Sequence, residues 1–434
     1  MAARRPDFPL SAPEQARILR IGAEGDGVAL LPDGRPLYVP FTLPGETVLA
    51  RRVGRRGDGV AAIAEAIAEP SGERVTPPCA QFGTCGGCAM QHWHEAPYRA
   101  WKSGLLAAAL RRAGYDATPT PIATTPVGSR RRMDFAARRE GCSVLLGLHQ
   151  ARGRDVVDIR ACPVLHPVLA ALLDPLRALL ATLAGLRREA AVIVNLLDSG
   201  PDLLLRTDAA LTAGDRARLA EFARAQGLAR IAWAQDGDPP EIAAQLRPAR
   251  VIFAGVAVAP PPGVFLQASA EGEAAIIAAA LAGLPERLSS RTRVVELFAG
   301  CGTLTFPLAT RTRVVAFDGD ADAIAALSAA AGRAGLAGRV TSCHRNLQRQ
   351  PLSSRELQSF AAVVLDPPHA GAAAQVAQIA ASGVARVIYV SCNPASLARD
   401  ASMLRTAGYR LLSAQPIDQF LWSARLESVA VFAR

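Results

Sequence analysis

At the start of the chain, apolar positions come in short runs cut by turn residues. Ile18–Ile21, Val28–Leu31, Leu37–Val39, Thr47–Arg51 and Val60–Ile67 are separated by signals such as Gly25-Asp26-Gly27, Pro32-Asp33-Gly34 and Pro44-Gly45. Five short strands with tight turns predict a small β-barrel of the OB type over residues 14–70. A loop opened by Pro70-Ser71-Gly72 follows, then a helix over Tyr98–Arg112 closed by Gly114. Residues 71–264 read as a mixed α+β central domain, with strand-like runs at Val144–Leu148, Ala191–Leu197, Leu203–Arg206, Ile231–Ala234 and Val251–Val258. Pro167–Leu186 reads as a buried amphipathic helix, and Pro260-Pro261-Pro262-Gly263 as a hinge.

From residue 265 to 434 the pattern alternates strand and helix. Apolar strands are expected at Val294–Leu297, Val314–Phe317, Ala362–Leu365, Val387–Val390, near Leu411–Leu412 and at Glu427–Phe432. Helices are expected from Thr303 and at Ala321–Ala334, Ala373–Ala381 and Ala395–Ala407. Repeated βα units predict a doubly wound, mostly parallel α/β sheet of Rossmann type.

The chain has 434 residues, half of them hydrophobic, which suits two or three domains with large cores. Its formal charge of +10 favours a polyanionic partner. Arginine supplies nearly all of the positive charge, and Lys102 is the only lysine. Arg51, Arg52, Arg55 and Arg56, and again Arg130-Arg131-Arg132, are candidate phosphate contacts; a solvated charge run, on an edge strand in the second case, is the competing reading. Met1–Ser11 has no apolar core of a signal peptide, and Pro167–Leu186 is too interrupted to span a bilayer. Both point to a cytoplasmic protein. In that compartment eight cysteines suggest ligands, catalysts or core residues more than disulfides.

Glu296-Leu297-Phe298-Ala299-Gly300-Cys301-Gly302-Thr303 is a strand, a glycine turn and a helix start, where backbone can approach a nucleotide. A second strand ends at Asp318, placed to bind ribose hydroxyls. Asn346 and Asp366-Pro367-Pro368 follow. The dinucleotide fingerprint fails, because position 305 is Thr305, so the series fits S-adenosylmethionine better than NAD. Cys79-x5-Cys85-Gly86-Gly87-Cys88 places three thiols in one loop, and Cys162 before Pro163 offers a fourth. Four thiolates suit Zn²⁺ or an iron–sulfur cluster. Cys142, Cys301 and Cys343 read as core or pocket lining. Cys392, after Val387-Ile388-Tyr389-Val390, is a candidate nucleophile at a strand end.

These residues resemble the RNA uracil-5 methyltransferases, in particular the bacterial 23S ribosomal RNA branch with an iron–sulfur cluster. Gly25-Asp26-Gly27-Val28 and Val39-Pro40-x3-Leu43-Pro44-Gly45-Glu46 resemble that family's TRAM barrel. Arg74-Val75-x2-Pro78-Cys79 through Gln91-His92 resembles its cluster loop, and Phe265-Leu266-Gln267 its Phe-x-Gln signature. The most specific match is Ser391-Cys392-Asn393-Pro394-x2-Leu397-Ala398-Arg399-Asp400, with Asp418-Gln419-Phe420 and Leu426-Glu427-Ser428 completing the set. The resemblance implies a class I S-adenosylmethionine-dependent methyltransferase domain. The donor would be held by Gln267, Phe298, Gly300, Gly302, Thr303, Asp318, Asn346 and Asp366. A [4Fe–4S] cluster would sit on Cys79, Cys85, Cys88 and Cys162. It also implies that the helix near 98–112 folds onto the catalytic domain. The partner would be RNA, ribosomal rather than transfer RNA, acted on by a monomer with no obligate protein partner. Three positions depart from the family pattern: His369 follows Asp-Pro-Pro in place of arginine, Arg425 replaces a histidine before Leu426-Glu427, and Asp318 replaces a commoner glutamate.

Uracil C5 is a weak nucleophile. By the resemblance, Cys392 adds to C6, the enriched C5 takes the methyl group, and Glu427 removes the C5 proton. The target uridine would have to leave its stack. Competing readings are the same reaction on transfer RNA, a related cytosine-5 activity, a non-catalytic RNA-binding protein with this fold, and a nicotinamide-linked thiol exchanger.

Overall fold

The computed structural model describes residues 12–289 and 291–434. Met1–Ser11, read above as lacking a leader core, lies outside them. The chain forms two compact units. One runs through Leu105 and takes in His149–Arg154 and Phe420–Arg425. The other comprises Leu106–Leu148, Asp155–Gln419 and Leu426–Arg434.

The first unit carries a six-stranded sheet ordered Glu14–Arg17, Thr47–Arg56, Gly59–Glu69, Pro36–Val39, Gly27–Leu30 and Arg20–Ile21. Five strands were expected. The sixth, Glu14–Arg17, is polar and owes its conformation to pairing with Thr47–Arg56 rather than to an apolar pattern. Inward positions such as Ile18, Val39, Val48 and Ala50 fill the core. Three of the four barrel arginines are occupied within the fold: Arg51 pairs with Glu65, Arg52 with Glu14 (2.5 Å), and Arg56 with Glu24 (2.6 Å) and Asp26. Arg55 is exposed. The lone lysine is fully buried, and Lys102 Nζ donates to the carbonyls of Phe420 (3.0 Å) and Arg425 (2.6 Å).

In the second unit a seven-stranded sheet runs Val156–Asp158, Ser143–His149, Arg132–Glu140, Glu189–Leu197, Gly200–Thr207, Arg230–Gln235, Glu241–Gln245. Arg132–Glu140 lies inside this sheet, paired along Arg132–Arg138 with Glu189–Leu197 and along Ala136–Glu140 with Ser143–Gly147; of the three clustered arginines only Arg132 belongs to it, at its one-sided start. Cys142 corrects a second expectation: it sits exposed in the turn after that strand, not in a core. The Val251–Val258 run folds into a hairpin of Val251–Phe253 and Val256–Val258, because Ala254 and Gly255 both take positive φ. The predicted hinge is pinned: Arg230 Nη1 donates to Pro260 O (3.0 Å), and Asn195 Nδ2 to Val264 O (3.0 Å). Pro167–Leu186 breaks into Pro167–Ala170 and Leu173–Thr182. Among the described residues no helix is long and apolar enough to cross a membrane.

The catalytic sheet consists of β1 Arg293–Leu297, β2 Arg313–Asp318, β3 Val340–His344, β4 Ala362–Leu365, β5 Arg386–Ser391, β6 Arg410–Asp418 and β7 Glu427–Ala433. Its helices are α1 Ala270–Ala282, α2 Thr305–Ala309, α3 Ala321–Arg333, α4 Ser354–Leu357, α5 Ala373–Ser382 and α6 Pro394–Thr406. The strand order is 3-2-1-4-5-7-6, parallel through β5, with β7 antiparallel between β5 and β6. Val294, Val295, Val363, Val364, Ile388 and Val390 are fully enclosed, as strands covered on both faces require. β3 is an edge strand of mostly polar residues, which its sequence pattern hides. The strand order reverses between β1 and β4, where such sheets bind ligands at their carboxyl ends. The segment after helix Glu95–Arg112 docks on this sheet. Tyr115 Oη donates to Tyr409 O (3.0 Å), and Ala123–Thr124 adds a parallel strand beside β6. The expectation concerned the helix itself; what joins this sheet is the segment that follows it, and the boundary between the two units falls within the helix, after Leu105.

Candidate active site

The turn after β1 is built for close approach. Phe298 and Gly302 take positive φ (64° and 108°), and a Cβ on Gly302 would lie 2.6 Å from the Phe306 ring. A Cβ on Gly300 would meet no heavy atom within 4 Å, so the turn is open on that side. Asp318, ending β2, accepts from Gly300 N (2.7 Å) and Asp320 N (2.8 Å), so it shapes the turn as well as facing it. Asn346 follows β3, exposed, and caps its own turn by accepting from the N–H groups of Gln348 and Arg349. Thr303 is partly buried ahead of α2. An open turn, a carboxylate beside it and polar strand ends suit an adenosine-bearing ligand.

The register of the strands collects the remaining residues. Parallel pairing of Leu365 with Tyr389 brings Asp366 to the same sheet end as β5. Antiparallel pairing ends with Ser391 against Ser428, so Cys392, just past β5, and Glu427, the first residue of β7, lie at the same end of the sheet. A buried chain of amides joins the carboxyls. Gln419 Nε2 donates to Glu427 Oε2 (2.8 Å) and to Gln267 Oε1 (2.7 Å), and Gln267 Nε2 donates to Asp366 Oδ2 (3.1 Å). Burial raises Glu427 well above the usual carboxylate range, and the negative charge of Asp366 adds to this. Burial likewise pushes Asp366 up to about 7, with the Gln267 hydrogen bond opposing. Below them Glu296, fully enclosed, is pushed up to about 8 by burial, against a hydrogen bond from Thr305 Oγ1 (2.5 Å). Cys301 is buried as expected, and its thiol is pushed up to about 12 by desolvation.

The Asp-Pro-Pro loop is held from α6. Asp400, fully buried, accepts from Tyr389 Oη (2.6 Å) and Ala372 N (2.8 Å), and Arg399 Nη2 donates to Ala370 O (2.9 Å). Gly371, at φ 79°, is favoured here, because a Cβ would lie 2.7 Å from Oδ2 of the buried Asp400 and 2.9 Å from Ser396 Cβ. Asn393 caps α6 through Ala395 N (3.0 Å) and donates to His369 O (2.9 Å). The unusual His369 thus sits against the residue next to Cys392.

Residues 263–434 match the profile of the tRNA (Uracil-5-)-methyltransferase family. An uncharacterized RNA methyltransferase of Brucella suis is 41% identical over 97% of this chain and 98% of its own. The 23S rRNA (uracil(1939)-C(5))-methyltransferase RlmD of Pectobacterium atrosepticum is 34% identical, over 94% of this chain and 91% of its own. This chain belongs to the RNA (uracil-5-)-methyltransferase family. Its fold matches the crystal structure of the Pyrococcus abyssi tRNA (uracil-54, C5)-methyltransferase in complex with S-adenosyl-L-homocysteine. The TM-score is 0.73 at 20% identity, over 96% of this chain and 99% of that one. The expected architecture, an S-adenosylmethionine-dependent methyltransferase fold preceded by a β-rich N-terminal part, is therefore correct.

For an RNA (uracil-5-)-methyltransferase, three site features escaped the sequence reading. Gln419 lies in the Asp-Gln-Phe motif, whose pattern assigns it no role. Glu296 lies in the strand before the glycine turn and reads there only as a strand residue. Arg131, read as a phosphate contact, instead donates to Gln267 O (3.1 Å) and Glu273 Oε2 (2.5 Å) and anchors the Gln267 segment. The cysteines expected to be ligands belong to both units. Cys79, Cys85 and Cys88 share one half-buried loop of the first unit, while Cys162 belongs to the second. Burial raises the Cys85 thiol, and a Gly87 N–H hydrogen bond (3.4 Å) opposes it. Among the described residues no three His, Cys, Asp or Glu are grouped to hold a metal ion, so no chemistry is routed through a cluster.

Proposed function

We propose that the enzyme methylates C5 of a specific uridine in ribosomal RNA, with Cys392 as nucleophile and Glu427 as base. What supports this reading is that the β5–β7 pairing ends at Ser391 and Ser428, so Cys392 follows β5 and the buried Glu427 begins β7 at the sheet end where Asp366 follows β4. S-adenosylmethionine, held by Gln267, Phe298, Gly300, Gly302, Thr303, Asp318, Asn346 and Asp366, supplies the methyl group and leaves as S-adenosylhomocysteine. Cys392 sulfur bonds to C6, and the electron pair of the C5–C6 bond moves toward C5, which takes the methyl. Glu427 then receives the C5 proton, the C6–S bond breaks, and the sulfur recovers its pair. Asp366 orients donor or uracil edge. The reaction belongs in the cytoplasm with its RNA. The family relative named for 23S rRNA supports ribosomal RNA, and the profile named for tRNA keeps transfer RNA as the second substrate to try.

Cys392→Ala should abolish methyl transfer while donor binding persists, and 5-fluorouridine RNA should trap a covalent complex with the unmodified enzyme; turnover by the alanine variant would sink the proposal. Mapping 5-methyluridine in total RNA from a deletion strain identifies the target. The barrel is proposed as a TRAM domain. Cysteine spacing suits Zn²⁺ or an iron–sulfur cluster on Cys79, Cys85, Cys88 and Cys162, the family resemblance implies [4Fe–4S], and iron and acid-labile sulfide in anaerobically purified protein would test it.

A further inference from the structure

We propose that Gln419 is the positioning residue for the base: it fixes which oxygen of Glu427 receives the uracil C5 proton. The inference rests on the assignment of Glu427 above. Gln419 follows β6 and is 4% exposed. Its amide has one orientation open to it, because Gln419 Oε1 accepts from Ala268 N (3.0 Å). A flipped amide would set two donors against each other. Both Nε2 hydrogens are then committed, one to Glu427 Oε2 and one to Gln267 Oε1. Gln267 must in turn present its own amide hydrogens to Asp366. The chain Ala268–Gln419–Gln267 thus has a fixed polarity, and both carboxyls stand at its accepting ends.

The consequence for Glu427 is specific. Oε2 accepts from Gln419, which favours Oε1 as the seat of a proton on this carboxyl. Oε1 is buried and makes no hydrogen bond of ordinary geometry among the described residues, with the Ser428 N–H the nearby backbone donor to this carboxyl. A buried, unpartnered acceptor is costly unless something supplies a proton or a donor. Here the supply would be the C5 hydrogen of the adduct. Packing holds the arrangement: a Cβ on Gly272 of α1 would lie 2.6 Å from Gln419 Cβ, so the side chain has little room to swing.

The test uses full-length enzyme, S-adenosylmethionine labelled in its methyl group and an RNA transcript containing the target uridine. Gln419→Met keeps the volume and removes both donated hydrogen bonds. Turnover should fall roughly 10- to 100-fold with KM for RNA unchanged. A denaturation-resistant protein–RNA adduct that already carries the methyl label should build up, because proton removal is the impaired step. Glu427→Gln should build up the same labelled adduct. Wild-type turnover by the methionine variant, or loss of turnover without labelled adduct, overturns the proposal. Should that variant fail to fold by circular dichroism, Gln419→Glu, of equal size, is expected to give the adduct, and its absence is equally decisive. Wild-type turnover by Glu427→Gln would instead refute the assignment of the base itself.

Discussion

At the scale of single residues, the site concentrates carboxyls where burial makes them reluctant to ionise. A carboxyl raised by burial is protonated over more of the pH range but is a stronger base once ionised. As the proposed base, Glu427 would have to lose its proton to accept one from C5, so turnover should rise with pH across a range above that of an ordinary glutamate. The Asp366 charge contributes to that elevation. Asp366→Asn should therefore shift the rising limb of kcat to lower pH, whatever it does to the plateau, and an unmoved limb would separate the two carboxyls. Glu296 gives a stability effect of definite sign. Unfolded, it ionises near 4.5; folded, near 8. Between those values the unfolded chain binds fewer protons than the native one, so stability falls as pH rises. Glu296→Gln should remove this dependence and raise stability at pH 8 relative to pH 5, by at most about 4 kcal/mol, measured by urea unfolding at both pH values. The motif residues themselves were legible in the sequence. Gln267, Asp366 and Glu427 are joined through one buried amide chain, whereas the contacts of Gln419 and Arg131 with the Gln267 segment span more than 100 positions, which no local pattern encodes.

Elements explain why the Ser-Cys-Asn-Pro motif extends to Leu-Ala-Arg-Asp. Asn393 begins α6 and Arg399 and Asp400 lie one to two turns on, so a single helix grips both the nucleophile's strand and the Asp-Pro-Pro loop. Asp400→Ala would strand the Tyr389 hydroxyl and the Ala372 N–H in a closed core. A loss of roughly 2–5 kcal/mol is expected from two buried donors left without acceptors, read as a lower urea midpoint at unchanged slope. Strong apolar runs such as Val387–Val390 announced their strands, and their ends agree to within a residue or two. Glu14–Arg17, β3 and Arg132–Glu140 did not, because polar strands take their conformation from hydrogen-bonding neighbours. β3 ends in the turn that holds Asn346, so that side chain could be placed only after its edge was known.

The molecule as a whole carries +10 of charge, yet much of its arginine is spent internally. Arg51, Arg52, Arg56 and Arg131 all have carboxylate partners. The cations left for RNA are fewer than composition suggests, and Arg55 is one of the exposed ones. RNA binding should still weaken steeply with salt, by about 0.7–0.9 in log affinity per tenfold salt for each phosphate contact. Arg55→Ala should lower that slope by about one contact and Arg52→Ala should leave it unchanged, as followed by fluorescence anisotropy between low and moderate salt. By itself the sequence determined the parts list: a strand-rich start, a doubly wound end, a methyl-donor turn and a thiol and carboxyl at strand termini. Those follow from local periodicity and from side-chain chemistry, which act over a few residues. Only the tertiary structure decided which carboxyls share a buried space, which amide orients them and which arginines remain outward. Those outcomes depend on strand register and burial, and both are set by pairings between segments far apart in the chain.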